Sequence, residues 1–295
     1  KEIIINGRRQ LNFQRFTEKI AESGLDVHGA AVYEDGKLIG QYGDTTGRYP
    51  IYSCTKAVTS LAVGMAVEDG VLDINQSVLH YLPQDVIEEL SEKQTETFAQ
   101  ITVRRLLTMS VAGLPFSNGG DNWIQNALSS EIDDVEEKTF NYSNVCAYLA
   151  GVAVSVAEKQ DLYEMLTQRL FDPLDIQNPP HATSPCGFMN GATNMELSVN
   201  ELSRIGMVFA GSGAYKDRRI VSKEYIREAC SIQQMNREGG YGYFIWKYRD
   251  GFSINGKWGQ KCYILPDRKR MVTFLSNIPE GSDMIRGWME EYILQ

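Results

Sequence analysis

The stretch "YPIYSCTKAVTSLAVGMAVEDGVL", residues 49–72, decides how this chain is read. Its apolar positions Val58, Leu61, Ala62, Met65 and Ala66 recur at steps of three and four. That spacing predicts a helix from about Ser53 to Asp69, stopped by Gly70. Ser53 stands three residues before Lys56 at the start of this helix. One reading is structural: a serine at a helix start is most often an N-cap, and chance alone supplies such a pair. The other is chemical. Positions i and i+3 share a helix face, so the amine can reach the hydroxyl. The amine acts as a base if desolvation or a nearby positive charge lowers its pKa. Tyr52, Ala57 and Leu61 offer apolar surroundings, and the helix N-terminus favours a developing anion.

A second constellation, Tyr142-Ser143-Asn144 in "NYSNVCAYLAG", precedes another helical pattern. A tyrosine beside a cationic lysine is expected to lose its proton more readily and relay it to a leaving group. The Asn144 amide can hold the lysine or a substrate carbonyl. The structural alternative is a helix cap at Ser143 or Asn144, with Tyr142 in the core.

Bulk properties narrow the function classes. The chain has 295 residues, 43 % hydrophobic and 23 % charged, ordinary values for a globular protein of one large domain or two lobes. A net charge of −9 argues against nucleic acid and against anionic membrane surfaces. No apolar run approaches the roughly 18 residues that span a bilayer. "KEIIINGRRQLNFQRF" lacks the apolar segment of an export signal, so the cytoplasm is expected, with export as the alternative if a leader has been removed. Five scattered cysteines and three scattered histidines, without ligand spacing, suggest a reducing compartment and neither a metal nor another cofactor.

Along the chain, "LNFQRFTEKIAES" reads as a helix and "VHGAAVYEDGKLIGQYG" as a hairpin about Glu34-Asp35-Gly36. Residues 76–195 are helical and loop-rich. In the last third "GYGYFIWKY", "FSINGKWGQKCYILP" and "RMVTFLSN" read as three strands of an antiparallel meander, followed by a helix at about 282–293. The expected architecture is α/β of the α+β kind: an antiparallel sheet flanked by helices, plus a mainly helical lobe. Residues 1–75 and 196–295 form the discontinuous α/β lobe and 76–195 the helical one, with the site between them.

At these residues the chain resembles the serine hydrolases that include class C β-lactamases, low-molecular-weight penicillin-binding proteins and family VIII esterases. The likeness runs in order along nearly the whole chain. It takes in the Ser53–Lys56 helix, "ITVRRLLTMSVAGL", the Tyr142–Asn144 element, "RLFDPLDI", "GATNMELSVNELSRIGMVFAGSGAY" and "INGKWGQKCYILPDRKRMV". The resemblance implies that Ser53 is the acylated nucleophile, Lys56 its base, and Tyr142 the proton shuttle. It implies that Asn144 orients Lys56 and the substrate. The oxyanion would lie between the backbone N–H of Ser53 and that of the residue after the glycine of the third element. That glycine aligns with Gly256, making Lys257 the donor; Gly259 with Gln260 is the alternative.

The chain departs from the family at that third element. Its relatives carry Lys-Thr-Gly or a variant beginning with histidine, whose side chains bind a substrate carboxylate; here the residues are Ile254-Asn255-Gly256. Ile254 carries no charge, and Asn255 offers only a neutral hydrogen bond. On one continuous strand Lys257 would face away from the site. The expectation is therefore an ester or amide hydrolase acting on a small or peptide-like molecule, and not an efficient β-lactamase. The competing reading is a non-catalytic or acylation-only sensor of the same fold. A hydrolase built on Cys54 is a poor third, since Cys54 follows Ser53 on the helix and points elsewhere. Trp258 is expected to line the site, with Tyr52 and Phe116 as further walls; Trp123, Trp246 and Trp288 read as core or cleft-wall aromatics.

Overall fold

The structure, a computed structural model, describes residues 11–294 together with the short strands Ile4–Ile5 and Arg8–Arg9. The remaining terminal residues lie outside the described part, including some of the N-terminal stretch read for an export signal and the first residues of the α/β lobe.

Helix α1 (Phe13–Ser23) begins on Asn12, whose side chain accepts from Arg15 N–H, and ends on left-handed Gly24. It leads into β1 (Val27–Glu34) and β2 (Lys37–Gly43). Asp35 and Gly36, at φ 49° and 72°, form the two-residue turn expected from the sequence; both central residues are left-handed, which matches the twist of the flanking strands. The rest of the sheet comes from the far end of the chain: β3 (Trp246–Tyr248), β4 (Gly251–Gly256), β5 (Gln260–Leu265) and β6 (Arg270–Ser276). The order across the sheet is β2-β1-β6-β5-β4-β3, every pair antiparallel.

Alternation divides the sheet's side chains between two cores. Ala31, Tyr33, Ile254, Cys262, Ile264 and Met271 face the larger core, which holds α2 (Thr55–Glu68), α3 (Asn144–Glu158) and α4 (Val199–Ala210). Ala30, Val32, Tyr263, Val272 and Phe274 meet Phe16 and Ile20 of α1 on the other face, with Ile285 and Met289 of α5 (Asp283–Tyr292). Helices α2 and α3 run through the middle of the larger core. All twelve residues from Thr55 to Ala66 are buried, as are all eleven from Val145 to Ser155. The spacing of Val58 to Ala66 marks a helix correctly, but the burial extends all round it, because small residues such as Ala57, Ala62 and Ala66 let neighbours close in.

Two strand readings need correction. Only Trp246–Tyr248 of "GYGYFIWKY" belongs to a strand; Tyr241 makes isolated bridges to Gln234 and Trp246, and Phe244 takes a left-handed φ of 61° that breaks the ladder. The stretch "FSINGKWGQKCYILP" is not one strand but a tight hairpin, β4 and β5 joined through a turn at Lys257–Gly259. Trp258 and Gly259 are left-handed there, at φ 60° and 85°. Among the described residues no helix is long and apolar enough to cross a membrane.

Candidate active site

The nucleophile turn precedes α2. Tyr52 sits at φ 45°, a left-handed conformation uncommon for a residue with a bulky side chain. It opens a 3-10 turn, Tyr52–Cys54, which continues directly into α2. The turn is fastened on both sides: Ile51 N–H donates to Met195 O at 2.9 Å, Cys54 N–H to Ile51 O at 3.0 Å, and the Thr55 hydroxyl to Tyr52 O at 2.7 Å. Ser53 is half-buried on this turn. Its hydroxyl caps no backbone N–H. Helix α2 begins on Cys54 without a side-chain cap, so the N-cap reading of Ser53 does not hold.

What Ser53 Oγ meets instead is Lys56 Nζ, 2.9 Å away. Lys56 is 1 % exposed, and its amine also reaches Asn144 Oδ1 at 2.7 Å and Ala192 O at 3.0 Å. Burial disfavours the ammonium form and lowers the Lys56 pKa to about 7, outweighing the opposing influence of Cys54 and Cys146. The three contacts suit both protonation states. As an ammonium, the group donates to all three oxygens. As a neutral amine, it donates to Asn144 Oδ1 and Ala192 O and accepts the Ser53 hydroxyl proton. The proton can cross without a side chain having to move.

The opposite wall belongs to α3. Ser143 is its N-cap, accepting from Val145 N–H at 3.0 Å and donating to Pro115 O at 2.6 Å. The Asn141 amide donates to Val111 O and Leu114 O, both at 2.9 Å. These anchors hold Tyr142 between them. Its ring lies 5.0 Å from Lys56 Nζ and packs against Trp246 at 5.5 Å and Tyr241 at 6.3 Å. The hydroxyl interacts with Ser53, yet burial dominates and raises the Tyr142 pKa to about 12. The expectation of a readily ionised phenol is therefore corrected: desolvation outweighs the hydrogen bond with Ser53 and favours the protonated phenol.

The third element closes the site from the sheet. A Cβ at Gly256 would come within 2.4 Å of Ile51 O and 3.2 Å of Cys54 Sγ, so only glycine lets this strand lie against the nucleophile turn. A Cβ at Gly259 would instead meet Ser276 and Ser282, away from that turn. Gly256, with Lys257 after it, is thus the glycine that lies against the nucleophile turn, and Gly259 lies away from it. Gln260 is buried and pins the hairpin turn, donating to Lys257 O at 3.0 Å and Ser276 O at 2.6 Å and accepting from Ser276 N–H at 2.9 Å. Lys257 stands in the turn rather than on the strand, its ammonium 4.4 Å above the Trp258 ring. Trp258 in turn meets Tyr52 edge-on at 5.2 Å. Ile254 is 1 % exposed in the larger core. Asn255 sits opposite Lys261, on the face Ile254 does not share, and its Oδ1 is buried without a partner among the described residues.

Ser53, Lys56, Tyr142 and Asn144 thus form one cluster, with Gly256, Lys257 and Trp258 beside it. Phe116, 60 % exposed, reaches Tyr142 at 6.3 Å between ring centres. Cys54 is fully buried and its thiol is pushed up by desolvation, which makes it inert. Sequence reading missed Ala192, which contributes only a backbone carbonyl. The available signal was Gly191: a Cβ there would lie 2.7 Å from the Thr59 hydroxyl and 3.1 Å from Ala147 O, so glycine is what admits this segment between α2 and α3. Trp246 and Tyr241, the partners of the Tyr142 ring, were read only as generic aromatics or not at all.

The family model described as Beta-lactamase matches residues 13–292. Among curated proteins, Protein flp of Staphylococcus aureus (strain MW2) is 24 % identical over 144 residues, 45 % of this chain and 28 % of that protein. This chain therefore spans under a third of the length of that relative. Among solved structures, the penicillin binding protein from Bacillus halodurans aligns with a TM-score of 0.72 at 14 % identity, covering 95 % of this chain and 99 % of the other. The D-stereospecific amidohydrolase from Streptomyces sp. aligns with a TM-score of 0.70 at 17 % identity, covering 95 % and 97 %. At these identities the likeness is one of fold.

Proposed function

The chain belongs to the beta-lactamase family, and on that premise we propose that it is a serine hydrolase forming an acyl-enzyme at Ser53 on an ester or amide of a small or peptide-like molecule. The observation that carries this is the dry lysine: Lys56, 1 % exposed, with a pKa of about 7, 2.9 Å from Ser53 Oγ. Lys56 takes the Ser53 proton as Oγ bonds to the scissile carbonyl carbon. The N–H groups of Ser53 and Lys257 receive the oxyanion. As the intermediate collapses, Tyr142 gives its proton to the departing nitrogen or oxygen and regains one from Lys56. Water then attacks the acyl group by the same relay in reverse. Residues on both proposed lobes contribute, Ser53 and Gly256 from 1–75 and 196–295, Tyr142 and Asn144 from 76–195.

Ile254 occupies the position where relatives hold a cation for the substrate carboxylate, which argues against efficient β-lactam turnover. The same feature favours a second reading, a sensor that acylates without release. Intact-protein mass spectrometry with activated esters, D-amino peptides and β-lactams, followed over time, tests both. A transient Ser53 adduct from esters or peptides, with turnover, is the expected result. A persistent adduct favours the sensor. No adduct on Ser53 overturns the proposal.

A further inference from the structure

Helix α4 lies directly on the sheet at Gly206, where a Cβ would come within 2.6 Å of Cys262 Sγ and 2.9 Å of Met271 Sδ. One turn later Ala210 and Gly211 carry too little side chain to reach the strands, and a cleft of about 740 Å³ opens. Met207 and Ala210 line it from the helix, and Tyr33, Ile264 and Met271 from the sheet. Tyr215 and Lys216 line it from a short hairpin, Ala214–Tyr215 paired with Arg218–Arg219. The cleft is at the end of the sheet remote from Ser53. Strand β5 starts at Gln260, whose carbonyl is 3.7 Å from Cys54 Sγ, and reaches the cleft at Ile264 and Leu265, roughly 15 Å of strand away. We infer that this cleft binds a single-chain amphipathic anion, with its hydrocarbon tail over Met207, Ile264 and Met271 and its carboxylate among Lys216, Lys269 and Arg270. The inference does not depend on the acyl-enzyme reading.

The interior suits a tail. Ile264 and Met271 belong to the larger core, the thioethers of Met207 and Met271 adapt to an irregular chain, and the Tyr33 hydroxyl already interacts with Ser203. The volume falls within the range of about 300–1,000 Å³ typical of small-molecule sites. The rim selects the head group. Three cations line the cleft, Lys216, Lys269 and Arg270, against one carboxylate, Asp35, in a chain of net charge −9. Lys269 pairs with Asp35 at 3.2 Å, both exposed, and Arg270 pairs with Glu34. Lys216 lies 5.2 Å from the Tyr215 ring and takes part in no ion pair among the described residues. Arg270 gives Nη1 to Ile293 O and Nη2 to Glu34, which leaves its Nε buried without an acceptor among the described residues. A carboxylate oxygen supplies that acceptor once side chains shift to admit it. A cationic head is disfavoured. The carbonyls of Met207, Val208 and Phe209 at the end of α4 already accept from Gly211, Gly213 and Ser212 N–H, and Asp35 is held by Lys269.

Calorimetric titration of the full chain with monomeric laurate tests this, with octanoate and dodecyltrimethylammonium as comparisons. Laurate is expected to bind at one saturable site, octanoate roughly threefold more weakly for each methylene removed, and the cationic surfactant not at all. Ala210 is exposed at the last position of α4, so Ala210→Trp fills the cleft without entering the core and is expected to lower laurate affinity about tenfold or more. A second variant combines Lys216→Asn with Lys269→Asn. Both lysines are left-handed at φ 51°, a backbone that asparagine tolerates, so the fold is kept while laurate binding is expected to weaken about tenfold. No laurate binding in the wild type would overturn the inference. So would equal laurate binding in the wild type and both variants, which a fatty acid held at Ser53 would give, or equal affinity for the cationic surfactant. Capture of the protein on phosphatidylglycerol vesicles without binding of monomeric laurate would also overturn it, and would assign the basic rim to a membrane surface.

Discussion

Lys56 Nζ and Asn255 Oδ1 are both polar atoms withdrawn from water, and the two sides of the site treat them differently. Between α2 and α3, Lys56 finds three oxygens within 3.0 Å, from a serine, an asparagine and a backbone carbonyl. On the β4–β5 hairpin, Asn255 keeps a buried oxygen with no partner, and its neighbour Ile254 has joined the apolar core. Satisfying every buried polar group is the usual state of a folded protein. The difference teaches that the polar contacts around Lys56 are satisfied, whereas the hairpin side of the cluster keeps an open acceptor beside an apolar residue.

The comparison can be broken most decisively at Ser53. Ser53→Ala is expected to lower turnover of an activated ester about 10⁴-fold or more, with the thermal midpoint little changed; retained activity would place the chemistry elsewhere. Lys56→Met is expected to lower kcat about 10³- to 10⁴-fold. In the wild type the acylation rate should rise with pH to half its maximum near pH 7, as Lys56 becomes neutral. Stability carries a matching signature. The Lys56 pKa falls from 10.5 to about 7 on folding, so between those values the unfolded chain binds the extra proton and folding stability gains as pH rises. The Met variant should lack that component; an unchanged difference between the two proteins from pH 7 to 10 would mean that Lys56 is not held dry.

Tyr142→Phe should cost about 10²-fold on an amide, measured by single-turnover kinetics, and much less on a p-nitrophenyl ester, whose leaving group needs no proton. An equal loss on both would make the ring's packing, rather than its hydroxyl, the contribution. The smallest effect sharpens the other side of the comparison. Asn255→Val removes an orphaned acceptor from a strand and is expected to stabilise the fold by about 1 kcal/mol, raising the melting midpoint by roughly 2–4 °C without changing KM. A rise in KM would instead show that Asn255 meets substrate.

Much of the site could be read before the fold was known because its first part is local. Ser53 and Lys56 are one helical turn apart, so a helix at that place brings them together whatever packs around it. Tyr142 and Asn144 flank a capping serine, again within one turn of a helix start. The third element was harder. Two left-handed residues, Trp258 and Gly259, fold back what periodicity presents as one strand, and the tryptophan gives no turn signal of its own. The ionisation state of Tyr142 could not be foreseen either, since it depends on the aromatic rings of Trp246 and Tyr241, about a hundred positions away, closing over it.

By itself the amino-acid sequence determined the helix bearing Ser53 and Lys56, the hairpin at Asp35-Gly36, the alternation of sheet and helical segments, and the family they resemble. All of these follow from spacing and from residue types acting over a few positions. Only the tertiary structure decided that Lys56 would be held dry, as the base proposed here must be. Its third acceptor, Ala192 O, lies 136 positions along the chain, and its pKa depends on the exclusion of water by every element of the larger core. Desolvation is a property of the assembled interior, and no short segment carries it.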